Sequence, residues 1–90
     1  MNQSKFYLFT FKSRTDAVRF SSEISARGIA CSVRATPTKI SRGGCGLSVS
    51  VDYYGYEAGV SALREGRFAT FTGAYEVESD NFTTKTYRLL

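Results

Sequence analysis

The chain has no histidine, only two cysteines and no long apolar run in its 90 residues. Without histidine it lacks the usual general base near neutral pH, and with it the Cys-His and Ser-His hydrolase arrangements. The cysteines are 14 positions apart, with no CxxC, so they cannot complete a closed tetrahedral zinc site within one chain. No apolar stretch approaches the ~18 residues that a membrane span needs. The start, MNQSKFYLFTFKS, has too short an apolar segment and no small-residue cleavage site for a secretory signal, so a cytoplasmic protein is expected.

What is present suffices for one domain with a small core. Leu, Ile, Val and Phe number 21 of 90, and six tyrosines add to them, which excludes intrinsic disorder. Twelve Lys and Arg against eight Asp and Glu leave a net charge of +4. Such a balance is compatible with a solvated surface, or with an anionic partner such as nucleic acid or an acidic protein face.

KFYLFTF, Lys5 to Phe11, reads as a strand. Both its faces are apolar, Phe6 and Leu8 against Tyr7, Phe9 and Phe11, which places it centrally in a sheet. Ser13 and Asp16 then start a helix, the serine oxygen capping free N–H groups and the carboxylate sitting in the positive first turn. Ala17, Phe20 and Ile24, with Ser21 beside them, share one face at helical spacing. Gly28 followed by Ile29 closes it as a glycine C-cap. Ile29, Cys31, Val33 and Ala35 alternate with Ala30, Ser32 and Arg34, predicting a half-buried strand. TPTKISRGGCG is a loop. Leu47, Val49, Val51 and Tyr53 then alternate with Ser48, Ser50 and Asp52 as a strand with one polar face. YGYEAGVSALREGRF reads as a second helix with Tyr56, Val60 and Leu63 on one side, although its interior Gly59 costs ~1 kcal/mol against alanine. FATFTGAYEVE is a further strand.

EISARGIACSV and ALREGRFATFT both run from a helix through an Arg-flanked glycine into a strand. The pattern is β-α-β twice, an α+β, ferredoxin-like βαββαβ arrangement with a four-stranded antiparallel sheet and two helices on one face. One domain is expected over residues 1–78. Residues 79–90 follow a turn signal at Ser79-Asp80-Asn81 and form either a fifth, C-terminal edge strand or a frayed tail.

The matched apolar faces of the second and third strands set their register. Val33 pairs with Val49, Ala35 with Leu47 and Cys31 with Val51. Cys45 then lies level with Pro37, ~20 Å from Cys31 at ~3.3 Å per residue. A disulfide needs Cα atoms within ~7 Å, so two free thiols are expected. Cys31 reads as a small core hydrophobe. Cys45 falls at the sheet end, beside the start of the first helix at Ser13. Arg14, Lys39 and Arg42 are candidate cations there, and a helix N-terminus with nearby cations lowers a thiol pKa. Gly43, Gly44 and Gly46 permit close approach of another molecule and leave backbone N–H groups free for an anion. A tight turn with an incidental cysteine is the competing reading.

Several of these residues also carry a family resemblance. Tyr7-Leu8-Phe9, Ser13, Gly28-Ile29, Pro37, Ile40-Ser41 and Cys45-Gly46-Leu47 stand in the order of an aromatic Y-x-F strand, a capped helix, a G-I strand start, a proline loop with I-S, and C-G-L. From Lys5 to Tyr53 the chain resembles the small bacterial proteins of the selenium/sulfur carrier-like family. It has Thr38, followed by Lys39, where an arginine is expected after the proline. The resemblance implies a carrier with Cys45 as acceptor thiol for a persulfide or selenium adduct, and a sulfur or selenium donor or acceptor protein as partner.

No base, metal or cofactor motif marks a self-sufficient enzyme, and no cofactor is expected. A nucleic-acid reader of the RRM type would stack bases on sheet aromatics, but GLSVSVDYY places Ser48 and Ser50 where rings would be needed, so that partner is disfavoured. A protein–protein module pairing through an edge such as Thr83 to Leu89, with a homodimer as one outcome, is the alternative function.

Overall fold

The first strand, β1 (Ser4–Phe11), lies at the centre of the sheet, as its two apolar faces require. The computed structural model describes residues 4–37, 40, 46–79 and 84–90. After β1 come α1 (Arg14–Ala26), β2 (Cys31–Ala35), β3 (Leu47–Asp52), a 3-10 turn (Tyr53–Gly55), α2 (Tyr56–Glu65), β4 (Phe71–Ser79) and β5 (Thr84–Arg88). The sheet order is β2-β3-β1-β4-β5, with every neighbouring pair antiparallel. The first four strands form the ferredoxin-like arrangement, and β5 extends it beyond β4 as a fifth, edge strand.

The register of β2 on β3 is the one the apolar faces predict: Cys31 opposite Val51, Val33 opposite Val49, Ala35 opposite Leu47. The helix-covered face carries the core. Tyr7, Phe9 and Phe11 of β1 and Val49 and Val51 of β3 pack against Ala17, Phe20 and Ile24 of α1 and Ala62 of α2. Phe9 is fully buried, with its ring centroid 5.0 Å from Phe20 and 5.7 Å from Tyr56. Complete burial of such a side chain contributes about 1.5–3 kcal/mol. Gly59 has its reason here: a Cβ at that position would stand 2.4 Å from the Phe9 ring. The glycine that weakens the helix locally lets α2 settle onto the core.

Three local expectations change. β2 is an edge strand on which only Cys31 is half-buried, while Ser32 to Ala35 are exposed. Helix cover reaches Cys31 through Ser21 and Ser25 of α1 but leaves Val33 39% exposed. Tyr53 leaves the strand ladder because Asp52 accepts a hydrogen bond from the Tyr54 N–H (3.1 Å) and caps the 3-10 turn. β4 starts at Phe71, and Phe68 packs into the core ahead of it.

Candidate functional site

The chain between β2 and β3, which contains Cys45 in its sequence, re-enters the sheet where β1 ends. Phe11 pairs with Leu47, so Gly46 sits beside the last residue of β1 and two positions from the cap of α1. Gly46 has a φ of +127°, a region that L side chains rarely adopt, and an added Cβ would stand 3.0 Å from the Phe11 carbonyl oxygen. The neck of the loop is closed by the Thr36 N–H donating to the Gly46 carbonyl (3.2 Å) and by a hydroxyl pair between Thr36 and Ser48 (2.8 Å). Farther along, the Ile40 N–H donates to the Pro37 carbonyl (3.0 Å). Pro37 and Ile40 line a groove of about 560 Å³ over the second sheet face, floored by Phe6, Leu8 and Val77.

The start of α1 is tied to the start of β4. Ser13 Oγ accepts from the Asp16 N–H (3.3 Å), the cap its sequence predicts. The Asp16 carboxylate turns away to Thr70, accepting from its N–H (3.0 Å) and its hydroxyl (2.6 Å). Thr70 Oγ1 in turn accepts from the Ser13 N–H (3.1 Å). These Thr70 hydrogen bonds hold the Asp16 carboxyl below its ordinary range, assisted by Arg19 at 3.1 Å. Arg19 also donates to the Arg67 carbonyl and lies 4.5 Å from the Phe68 ring centroid. Thr70 escapes sequence reading because nothing around it marks a site; its partners are 54 and 57 residues away.

Of the residues predicted for the site, Ser13, Arg14 and Gly46 are described, and they gather at this one end of the sheet. Arg14 is the first residue of α1 and is exposed. Lys39, Arg42, Gly43, Gly44 and Cys45 lie outside the described residues. Asp16 adds an anion to the same helix end, which opposes part of the positive field that a thiolate would use. Cys31 is a free thiol, half-buried, with Sγ 3.4 Å from Ser21 Oγ and 3.5 Å from Ser25 Oγ. Among the described residues no group of three or more His, Cys, Asp or Glu could hold a metal ion, and no helix is long and apolar enough to cross a membrane.

The described residues define a small ferredoxin-like α+β protein whose sequence places a glycine-flanked cysteine between β2 and β3. A family model described as "Putative Se/S carrier protein-like" matches residues 6–70, more than half of the chain, and the chain belongs to that family. No curated protein and no solved structure matches it.

Proposed function

We propose that the protein is a sulfur or selenium carrier and that Cys45 is its acceptor thiol. Family membership over a stretch that contains Cys45 carries this reading. It is supported by Gly46, whose positive φ and contact with Phe11 fix the exit of the loop beside the start of α1. In the transfer, the Cys45 thiolate attacks the terminal sulfur of a donor persulfide. An S–S bond forms on Cys45, the donor S–S bond breaks, and the donor leaves as a thiolate, with no external oxidant. A donor carrying selenium in the terminal position follows the same exchange.

The test is intact mass after reduced protein meets glutathione persulfide and is desalted. Wild type and Cys31→Ser gain one sulfur atom, and Cys45→Ser gains none. The native protein reacts faster than the same chain unfolded in urea. A gain that persists in Cys45→Ser, or a native rate no higher than the unfolded one, removes the reading.

A further inference from the structure

The opposite end of the sheet carries a second feature, independent of the thiol loop. Tyr7 of β1, Tyr53 and Tyr54 of the 3-10 turn, and Tyr56 and Glu57 of α2 line a pocket of about 280 Å³. The rings are inclined to one another. Tyr7 and Tyr56 have centroids 4.7 Å apart at 39°, Tyr7 and Tyr53 are 6.1 Å apart at 45°, and Tyr53 meets Tyr54 edge-on at 5.4 Å. Core packing accounts for Tyr7, which is 7% exposed. It does not account for Tyr53 at 54% or Tyr54 at 85%. Two large rings held in water beside two packed ones need a reason other than the core.

Their backbone is fixed before any ligand arrives. Asp52 caps the turn at the Tyr54 N–H, and the buried Gly55 presses against Ile29 and Val51 so closely that a Cβ would stand 2.8 Å from the Ile29 methyl. Such preorganisation lowers the ordering cost of binding. The charges nearby have one dominant sign. Glu57 lines the pocket, Asp52 caps the turn, and Glu76 accepts from the Tyr7 hydroxyl at 3.3 Å. Burial, then the Glu76 charge, raises the Tyr7 pKa, so its ring stays a neutral phenol. Lys5 already lies 5.8 Å from the Tyr53 centroid, but Glu76 and Glu78 stand 3.7 and 3.8 Å from its ammonium and offset its charge. Lys5 is not among the residues that line the pocket.

We propose that this tyrosine pocket binds the head group of an organic cation, an alkylated ammonium, between its ring faces and Glu57. Aromatic faces present the negative side of the ring quadrupole, and a carboxylate at the rim adds a full charge. The pocket lies below the ~300–1,000 Å³ of sites for drug-sized ligands, so it takes a head group and leaves the rest of the molecule outside. The head group belongs either to a free small molecule or to a methylated lysine of a partner chain.

The experiment follows tyrosine ring signals by NMR while the intact protein is titrated with choline, with its uncharged carbon isostere 3,3-dimethylbutan-1-ol, and with a capped trimethyllysine peptide. Choline at millimolar concentration shifts the Tyr53, Tyr54 and Tyr56 signals, and the isostere binds about tenfold more weakly. A peptide tighter than choline assigns the source to a protein chain, and equal affinities assign it to a free cation. Tyr54→Ala and Glu57→Gln, both at exposed positions, each weaken choline binding about three- to tenfold, while Tyr54→Phe retains it. Isostere and choline binding alike, no shift at all, or unchanged binding in both weakened variants overturns the proposal. Cys45→Ser leaves the titration unaltered, so failure here and failure of the carrier reading are distinguishable.

Discussion

The two ends of the sheet are held by different forces. At the end where β1 gives way to α1, directional bonds set the geometry: Ser13 to Asp16, Asp16 to Thr70, Thr70 to Ser13, and Thr36 to Gly46. At the other end, ring against ring does the same work through Tyr7, Tyr53, Tyr54 and Tyr56. Hydrogen bonds to a carboxylate depend on its charge, and ring packing does not. The Asp16–Thr70 bonds of the first end should therefore feel pH and the ring packing of the second should not, the Asp52 cap and the Tyr7–Glu76 bond being the charge-dependent contacts there.

The largest effect tests the aromatic side. Phe9 joins the core to that end through its contact with Tyr56. Phe9→Ala should destabilise the fold by about 3–5 kcal/mol in urea unfolding, because a fully buried ring leaves a cavity under Gly59. The loss should be the same at about pH 7 and about pH 3, since no charge changes in the deleted contact. A loss below about 1 kcal/mol would mean that α2 collapses into the space and that the ring stack is not what fixes that end.

The next effect is smaller and belongs to the polar end. Asp16 has a folded pKa below its ordinary value of 3.8, chiefly through the two Thr70 hydrogen bonds. A depressed carboxyl stabilises the fold above its unfolded pKa, and that contribution disappears as pH falls through the folded pKa. Asp16→Asn should lower the melting temperature at neutral pH. The gap to wild type should narrow below about pH 4 and close once Asp16 is protonated in both states. A gap that stays constant with pH would show that Asp16 acts by shape and not by charge.

The same contrast decides what the sequence discloses. The polar end is legible where its partners are close in the chain, as with Ser13 and Asp16; the far end of α1 is legible for the same reason, the Gly28 N–H donating to the Ser25 carbonyl. The strand register is legible because apolar alternation fixes it, and Cys31, Val33 and Ala35 meet the expected partners. Thr70 is not legible, since its bonds form only when β4 returns beside β1. The tyrosine pocket is hidden for a similar reason. Tyr53 continues the strand alternation in sequence, and only the Asp52 cap turns it out of the ladder. Gly59 reads as a defect until the Phe9 ring is placed against it. Of the proposed thiol site, the sequence supplies the residues and the fold supplies the position of Gly46, Ser13 and Arg14.

The smallest effect joins the polar end to the proposed carrier thiol. Helix ends and exposed cations each contribute about 0.3–1 kcal/mol, so two or three favourable ones would lower the Cys45 pKa by about one unit from ~8.5. Asp16 sits in the first turn of α1, and on the proposed placement of the thiol its charge would work against them. Two substitutions should therefore move the thiol in opposite directions. Arg42→Gln should raise the pH midpoint of iodoacetamide labelling at Cys45, and Asp16→Asn should lower it, each by about 0.2–0.7 unit. Mass spectrometry reads the two cysteines separately, and Cys31, shielded by Ser21 and Ser25, should label more slowly and stay fixed in both variants. Salt should shrink both shifts, because exposed charges are screened over about 10 Å at 0.1 M. If both substitutions leave the Cys45 midpoint at that of a free thiol, the charges around the loop do not act on the sulfur. The loop would then be a turn that happens to contain a cysteine, and the carrier reading would lose its physical basis.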